Sequence, residues 1–283
     1  MNKIRFKYLL PVILLGISFA VSAQVINLPN FRMPFTAKHV FLYRLNADTL
    51  FGEKQNVIVA EIKKDVTLSG NKLAIAFADS ALKQTSIFAK ENKALVALNG
   101  GFFNVEKGGS VSYLESAGKV IARNRKPKEK WAKTDSLLNG AIVLDYKGNL
   151  KIEVAKSESF YEHSDQEQAV LVSGPALLAG GEKLQLENSE FVKKRHPRTC
   201  LCTTQDGDIL FVAIDGRSEA ASGMNLKEVQ GFLLRLQCRD AINLDGGGST
   251  TLWVNDGVVK GIINTPSDKA GERPVANVIL IRE

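Results

Sequence analysis

Asp245-Gly246-Gly247-Gly248-Ser249-Thr250-Thr251 sets a carboxylate at the end of the apolar run Ala241 to Leu244, beside three glycines and three hydroxyls. Glycines let backbone N–H groups approach an anion with no Cβ in the way. The hydroxyls suit a phosphate or a sugar, and the carboxylate can serve as nucleophile, base or stabiliser of a cationic carbon. No Gly-Lys-Ser/Thr follows, so this is not a nucleotide-binding loop. Asn99-Gly100-Gly101-Phe102-Phe103-Asn104 is a second loop of the same kind. Asn99, able to donate and accept, is expected to face ligand, and Phe102 either stacks on a sugar or plugs the core. Asp215-Gly216-Arg217-Ser218-Glu219 adds two further carboxylates after the apolar strand Ile209 to Ile214. Arg198 and Arg273 are candidate forks for phosphate, although either alone also reads as a surface ion pair. The basic run Arg123 to Lys133 reads as a solvated loop outside the chemistry.

These groups need elements to position them. Apolar runs predict strands over Asn56 to Ile62, Leu73 to Ala78, Ala94 to Leu98, Val111 to Leu114, Ala141 to Tyr146, Leu150 to Val154, Arg198 to Thr204, Ile209 to Ile214, Ala241 to Leu244, Thr251 to Val254 and Val275 to Ile281. Ala117-Gly118, Lys147-Gly148-Asn149, Gln205-Asp206-Gly207 and Asn255-Asp256-Gly257 are hairpin signals, which imply antiparallel pairing. Two helices are expected, one from Asp79 or Ser80 to Asn92 and one from Asn225 to Cys238, the latter with an Asn225/Glu228 capping box. Leu226, Val229, Phe232, Leu233 and Leu236 share one face of the second helix. Each helix feeds a short strand that ends in a glycine-rich loop. The fold class is therefore α+β, with mixed, largely antiparallel sheets, a few helices and the site on loops at strand ends.

Of the 283 residues, 45% are hydrophobic and 24% charged, which excludes disordered, fibrous and polytopic membrane classes. The 37 basic and 30 acidic residues give +7. Lys3, Arg5 and Lys7 fall in a basic start followed by the apolar run Tyr8 to Val21 and a Val-Ser-Ala cleavage pattern, so residues 1–23 read as a secretory signal. That run is shorter than the roughly 20 residues a spanning helix needs. Removing the three cations leaves +4, too little to imply a nucleic-acid partner. The mature chain is expected to be soluble, periplasmic or secreted, and without stable membrane insertion; its oligomeric state is left open. Residues 24–93 are read as the N-terminal part of the domain that continues through 94–283. Cys200, Cys202 and Cys238 are expected as buried free thiols, since Cys200 and Cys202 lie too far apart along one strand to bond. Zinc signatures are absent and no cofactor is required.

In order, Asn99-Gly-Gly-Phe-Phe103, Ser173-Gly-Pro175, Arg198-Thr199, Asp215-Gly216 with Glu219, Asn225-Leu226, Asn243-Leu-Asp-Gly-Gly-Gly-Ser249 and Glu272-Arg-Pro-Val-Ala-Asn277 together resemble the phosphodiester glycosidase domain. That domain occurs in the mannose 6-phosphate uncovering enzyme and in bacterial exopolysaccharide-associated proteins. The resemblance runs from about Ala94 to Arg282 and implies hydrolysis of a sugar-1-phosphodiester at its glycosidic bond in an exported compartment. It implies Asp245, Glu219 and Asp215 as catalytic carboxylates. Asn99, Gly100, Gly101, Phe102, Arg198, Gly216, Gly246, Gly247, Gly248, Ser249, Thr250 and Arg273 are the substrate-binding candidates. No anchor or accessory module is expected after Glu283. Two alternatives stand beside this reading: a glycan- or phosphoglycan-binding protein without turnover, and a phosphodiesterase using a divalent cation held by Asp245 and Asp215.

Overall fold

The computed structural model describes residues 24–65 and 72–283, so the signal read over residues 1–23 lies outside it. Among the described residues the strands form three sheets. The largest has eight strands, in the order β1 (Arg32–Met33), β2 (Val40–Leu50), β3 (Glu53–Ile62), β14 (Ile209–Ile214), β13 (Arg198–Thr204), β15 (Cys238–Asn243), β11 (Ala176–Ala179) and β12 (Glu182–Lys183). A second runs β7 (Lys119–Ala122), β6 (Leu114–Ser116), β10 (Glu167–Ser173), β8 (Gly140–Asp145), β9 (Leu150–Val154). The third runs β17 (Lys260–Ile262), β16 (Leu252–Asn255), β5 (Ala94–Asn99), β18 (Asn277–Arg282), β4 (Leu73–Phe77). The pairing of these strands is antiparallel, and all four hairpin signals join paired strands: β6–β7, β8–β9, β13–β14 and β16–β17.

The three sheets share one core. Alternate residues of central strands point into it: Ile209, Phe211 and Ala213 from β14, Ala169 and Leu171 from β10, and Ile279 and Ile281 from β18. The intervening residues face outward onto helices. Leu210, Val212 and Ile214 pack with α4 (Leu226–Arg235) and with Val192 of α3 (Glu190–Lys193). Val170 and Val172 pack with Tyr161 of α2 (Glu158–Glu162), and Val278 and Leu280 with Phe88 and Ala89 of α1 (Thr85–Glu91). Burial on both faces is why β14 and β18 read as continuous apolar runs, whereas β10, buried in the same way, lies outside the strands expected from sequence.

The α4 capping box is present: Asn225 Oδ1 accepts from the Glu228 N–H at 2.9 Å, and a Glu228 carboxylate oxygen accepts from the Asn225 N–H at 3.0 Å. Helix α1 starts later than expected. Backbone groups of Ala78 and Lys83 are bound to Ala276 and Val275, so that segment is extended. Glu272 then accepts from the Ser86 N–H and hydroxyl, both at 2.7 Å, supplying from a distant loop the cap that the local sequence lacks. Val111 and Ser112 form bends and not the start of β6; the Tyr113 N–H is taken by the Asn124 side chain.

The thiol expectation is corrected. Cys202 and Cys238 form a disulfide, their Cα atoms 5.9 Å apart, while Cys200 is buried and free. Pairing of β13 with β15 brings together residues 36 apart in sequence, a contact that spacing within β13 cannot reveal. Reduction, or Cys202→Ser with Cys238→Ser, is expected to lower stability by about 2–4 kcal/mol. Urea unfolding with and without reductant measures this, and coincident midpoints would contradict it.

Candidate active site

The ends of β5 and β15 meet through Asn99. Asn99 Nδ2 donates to the Asp245 carbonyl at 2.6 Å, and its Oδ1 accepts from the Thr199 hydroxyl at 2.9 Å and the Thr251 N–H at 3.0 Å. The Asp245 N–H returns to the Gly100 carbonyl at 3.0 Å. Asn277 completes the joint, its Oδ1 accepting from the Gly101 N–H at 2.7 Å. Asn99 and Asn277 are fully buried. Asn99, expected to face ligand, therefore faces inward and holds the two loops in register.

The glycine run after Asp245 lets charged groups lie directly on the backbone. Gly247 has φ +62°, and a Cβ there would stand 3.1 Å from the Arg217 guanidinium. At Gly248 a Cβ would be 2.0 Å from an Asp268 carboxylate oxygen and 2.4 Å from Arg273 Nη2. Arg273 grips Asp268 in a two-pronged ion pair at 2.7 and 2.9 Å, so most of its charge is already cancelled. Gly246 abuts the Pro197 carbonyl, and Gly216 abuts Pro197 and Gly223, which stacks the Asp215 loop beside the Asp245 loop.

Asp245 is half-buried at this junction. Desolvation raises its pKa above the ordinary carboxylate value; Ser249, Lys133, Arg273 and the Gly246 N–H act in the opposite direction without cancelling the rise. On the strand ends that carry the two loops, Ser173 Oγ, Asn243 Oδ1, Thr251 Oγ1 and Asn277 Nδ2 are buried with no hydrogen-bond partner among the described residues. Native proteins leave few such atoms unpaired. Thr250 is buried, its hydroxyl 3.2 Å from the Thr199 oxygen.

The other candidates divide. Asp215 is buried, and its oxygens accept from Asn56 Nδ2 at 2.5 Å, Asn264 Nδ2 at 3.1 Å and the Thr265 N–H at 3.0 Å. Burial raises its pKa against those donors, and it ties β3 and the loop at 264–265 to its own strand end. Glu219 is exposed on the loop beyond. Arg198 is 1% exposed, stacks on Phe191, and donates to the carbonyls of Met224, Phe191 and Lys194 at 3.0, 2.7 and 2.9 Å. Expected as a phosphate fork, it is instead consumed internally, and burial lowers its pKa to about 10. Phe102 is 3% exposed and packs edge-on against Phe191, which decides for the core. Arg217, in the Asp215 to Glu219 motif, donates to His196 Nδ1 at 3.1 Å; two further contributors, Lys133, whose ammonium lies 5.0 Å over the Phe102 ring, and Asp268, carry no sequence signal of their own. Lys133 ends the basic run read as remote from the chemistry. Among the described residues no three His, Cys, Asp or Glu side chains converge as a metal set, and no helix is long and apolar enough to cross a membrane.

A carboxylate on crossed glycine-rich strand ends, ringed by cations and hydroxyls, is a site suited to an anion that also carries hydroxyl groups. The model of the phosphodiester glycosidase family matches residues 92–282, and the chain belongs to that family. It is 26% identical over 216 residues to N-acetylglucosamine-1-phosphodiester alpha-N-acetylglucosaminidase of Bos taurus, covering 69% of this chain and 38% of that one. The Homo sapiens protein of the same name is 26% identical over 209 residues, covering 66% and 38%. The chain thus spans little more than a third of the length of these relatives. The catalytic domain of the zebrafish enzyme of that name, in a form auto-inhibited by its pro-peptide, superposes with a TM-score of 0.67 at 20% identity, covering 88% of this chain and 85% of that one. A hypothetical protein from Synechocystis superposes with a TM-score of 0.63 at 15% identity, covering 86% and 62%. These two likenesses establish the shared fold.

Proposed function

We propose that the protein hydrolyses a sugar-1-phosphodiester at the glycosidic bond, in an exported compartment and in the service of glycan or exopolysaccharide metabolism. The observation that carries this reading is the Asp245 carboxyl, half-buried where two glycine-rich strand ends cross and faced by cations. Breaking the bond between the anomeric carbon and oxygen releases a phosphate that is already an anion, so the leaving group needs charge stabilisation more than a proton. Asp245 then serves the sugar side, as nucleophile or as stabiliser of the oxocarbenium-like carbon. Glu219, exposed and on the neighbouring loop, is the second carboxylate in this scheme; Asp215 is held by its amide partners. The apolar segment with its cleavage pattern and the Cys202–Cys238 bond both fit export to an oxidising compartment.

Turnover of N-acetylglucosamine-1-phosphodiesters to free sugar and phosphomonoester tests the reading; saturable binding without product would favour the non-catalytic alternative. The pH profile is a second check. Because the native Asp245 holds its proton more tightly than a free carboxyl, its ionised form is lost at a higher pH. The acid limb of kcat/KM is expected to lie above the ordinary carboxylate value of about 3.9. Linkage has the same origin: the contribution of this group to stability declines as pH rises from that value through its native pKa. A limb at or below about 4 would contradict the assignment of Asp245 as the acting carboxylate.

A further inference from the structure

We propose that Arg217 and Lys133 form the anion subsite that receives the phosphate, the part left open by the internal commitments of Arg198 and Arg273. The inference deepens the proposed function and rests on its premise that a phosphorylated sugar binds at Asp245.

Four cations bear on this region, and they are not equivalent. Arg198 is buried with its guanidinium on three carbonyls, and Arg273 is cancelled by Asp268. Neither Arg217 nor Lys133 forms an ion pair among the described residues; Lys133 lies near enough to Asp245 to favour its ionised form. Arg217 is exposed, and its backbone sits at φ +61°, a left-handed conformation that costs a non-glycine residue about 1 kcal/mol or more. That conformation lays the guanidinium against Gly247, two residues from Asp245. Among the described residues its hydrogen-bond partner is His196 Nδ1. Burial, with Arg198, Arg217 and Lys194 nearby, holds His196 below the usual imidazole range, so the ring accepts as a neutral base and leaves the guanidinium charge intact. On the other side Lys133 stands over Phe102, in the loop whose Gly100 carbonyl binds the Asp245 N–H.

The charges then match the substrate. With Asp245 ionised and Arg273 neutralised, Arg217 and Lys133 leave one net positive charge, the complement of a monoanionic phosphodiester. Hydrolysis yields a phosphomonoester with more negative charge, about −1.5 to −2 at neutral pH. The released phosphate compound is therefore expected to bind at least as tightly as the diester and to inhibit as product.

The test is calorimetric titration of the mature protein with α-N-acetylglucosamine 1-phosphate and, separately, with N-acetylglucosamine, using the wild type, Arg217→Gln, Arg217→Lys and Lys133→Gln. Each Gln variant is expected to bind the sugar phosphate about 10-fold or more weakly, with affinity for the neutral sugar unchanged. Arg217→Lys, which keeps charge but loses the planar fork, is expected to fall between. Unchanged affinity for the sugar phosphate in both Gln variants would overturn the subsite. So would an equal loss for both ligands, or no binding of the sugar phosphate by the wild type. Binding that depends on both residues, in a protein that releases no sugar from a phosphodiester, would uphold the subsite and refute hydrolysis instead.

Discussion

Asp245→Asn is expected to lower kcat by about 10³-fold while leaving the protein folded. The amide keeps the shape of the side chain and the main-chain bonds of residue 245 to Asn99 and Gly100, so the loop crossing survives. What disappears is the negative charge that desolvation makes expensive and that the reaction uses. Because an amide carries none of that desolvation penalty, the variant is expected to be as stable as the parent at neutral pH, or more so. Steady-state turnover paired with urea unfolding separates the two effects. Loss of activity together with loss of the fold would mean that the residue is structural, and full activity would remove it from the mechanism.

Asn99→Ala is expected to act through a different route, lowering stability by about 2–4 kcal/mol and kcat by about 10²-fold together. The side chain makes three bonds, to the Asp245 carbonyl, the Thr199 hydroxyl and the Thr251 N–H. Deleting it strands those buried partners and releases the constraint that aims Asp245. A fall in kcat with no change in the unfolding midpoint would contradict this, and would return Asn99 to the ligand-facing role its sequence context suggests.

Much of the scaffold was legible because it is encoded locally. The four turn signals gave their hairpins, and Asn225 with Glu228 gave the start of α4, since turn chemistry and capping act over two to four residues. Continuous apolar runs such as Ile209–Ile214 identified strands buried on both faces. Strand β2 escaped, because its 11 residues include polar Arg44, Asn46, Asp48 and Thr49 over its more exposed half. The disulfide escaped because it depends on which strands become neighbours. Helix α1 was drawn too long because its first turn is set by Glu272 and Val275, some 190 residues away in sequence.

The site divides along the same line. Glycine-rich strand ends were visible, and the structure brings Asn99, Gly100 and Asp245 together. The assignment of arginines was not visible, because Arg198, Arg217 and Arg273 are one residue type. Their roles follow from whether carbonyls, a neutral imidazole or Asp268 lie beside them. Asn99, expected on the ligand, and the motif residues Glu272 and Asn277 hold the loops and helix that frame the carboxylate.

The most direct test of the central claim is hydrolysis of an N-acetylglucosamine-1-phosphodiester in ¹⁸O-labelled water, with products read by mass spectrometry and Asp245→Asn run in parallel. Glycosidic cleavage at Asp245 predicts label in the released sugar, none in the phosphate, and about 10³-fold slower release by the variant. Label in the phosphate would show cleavage on the phosphorus side and contradict the account.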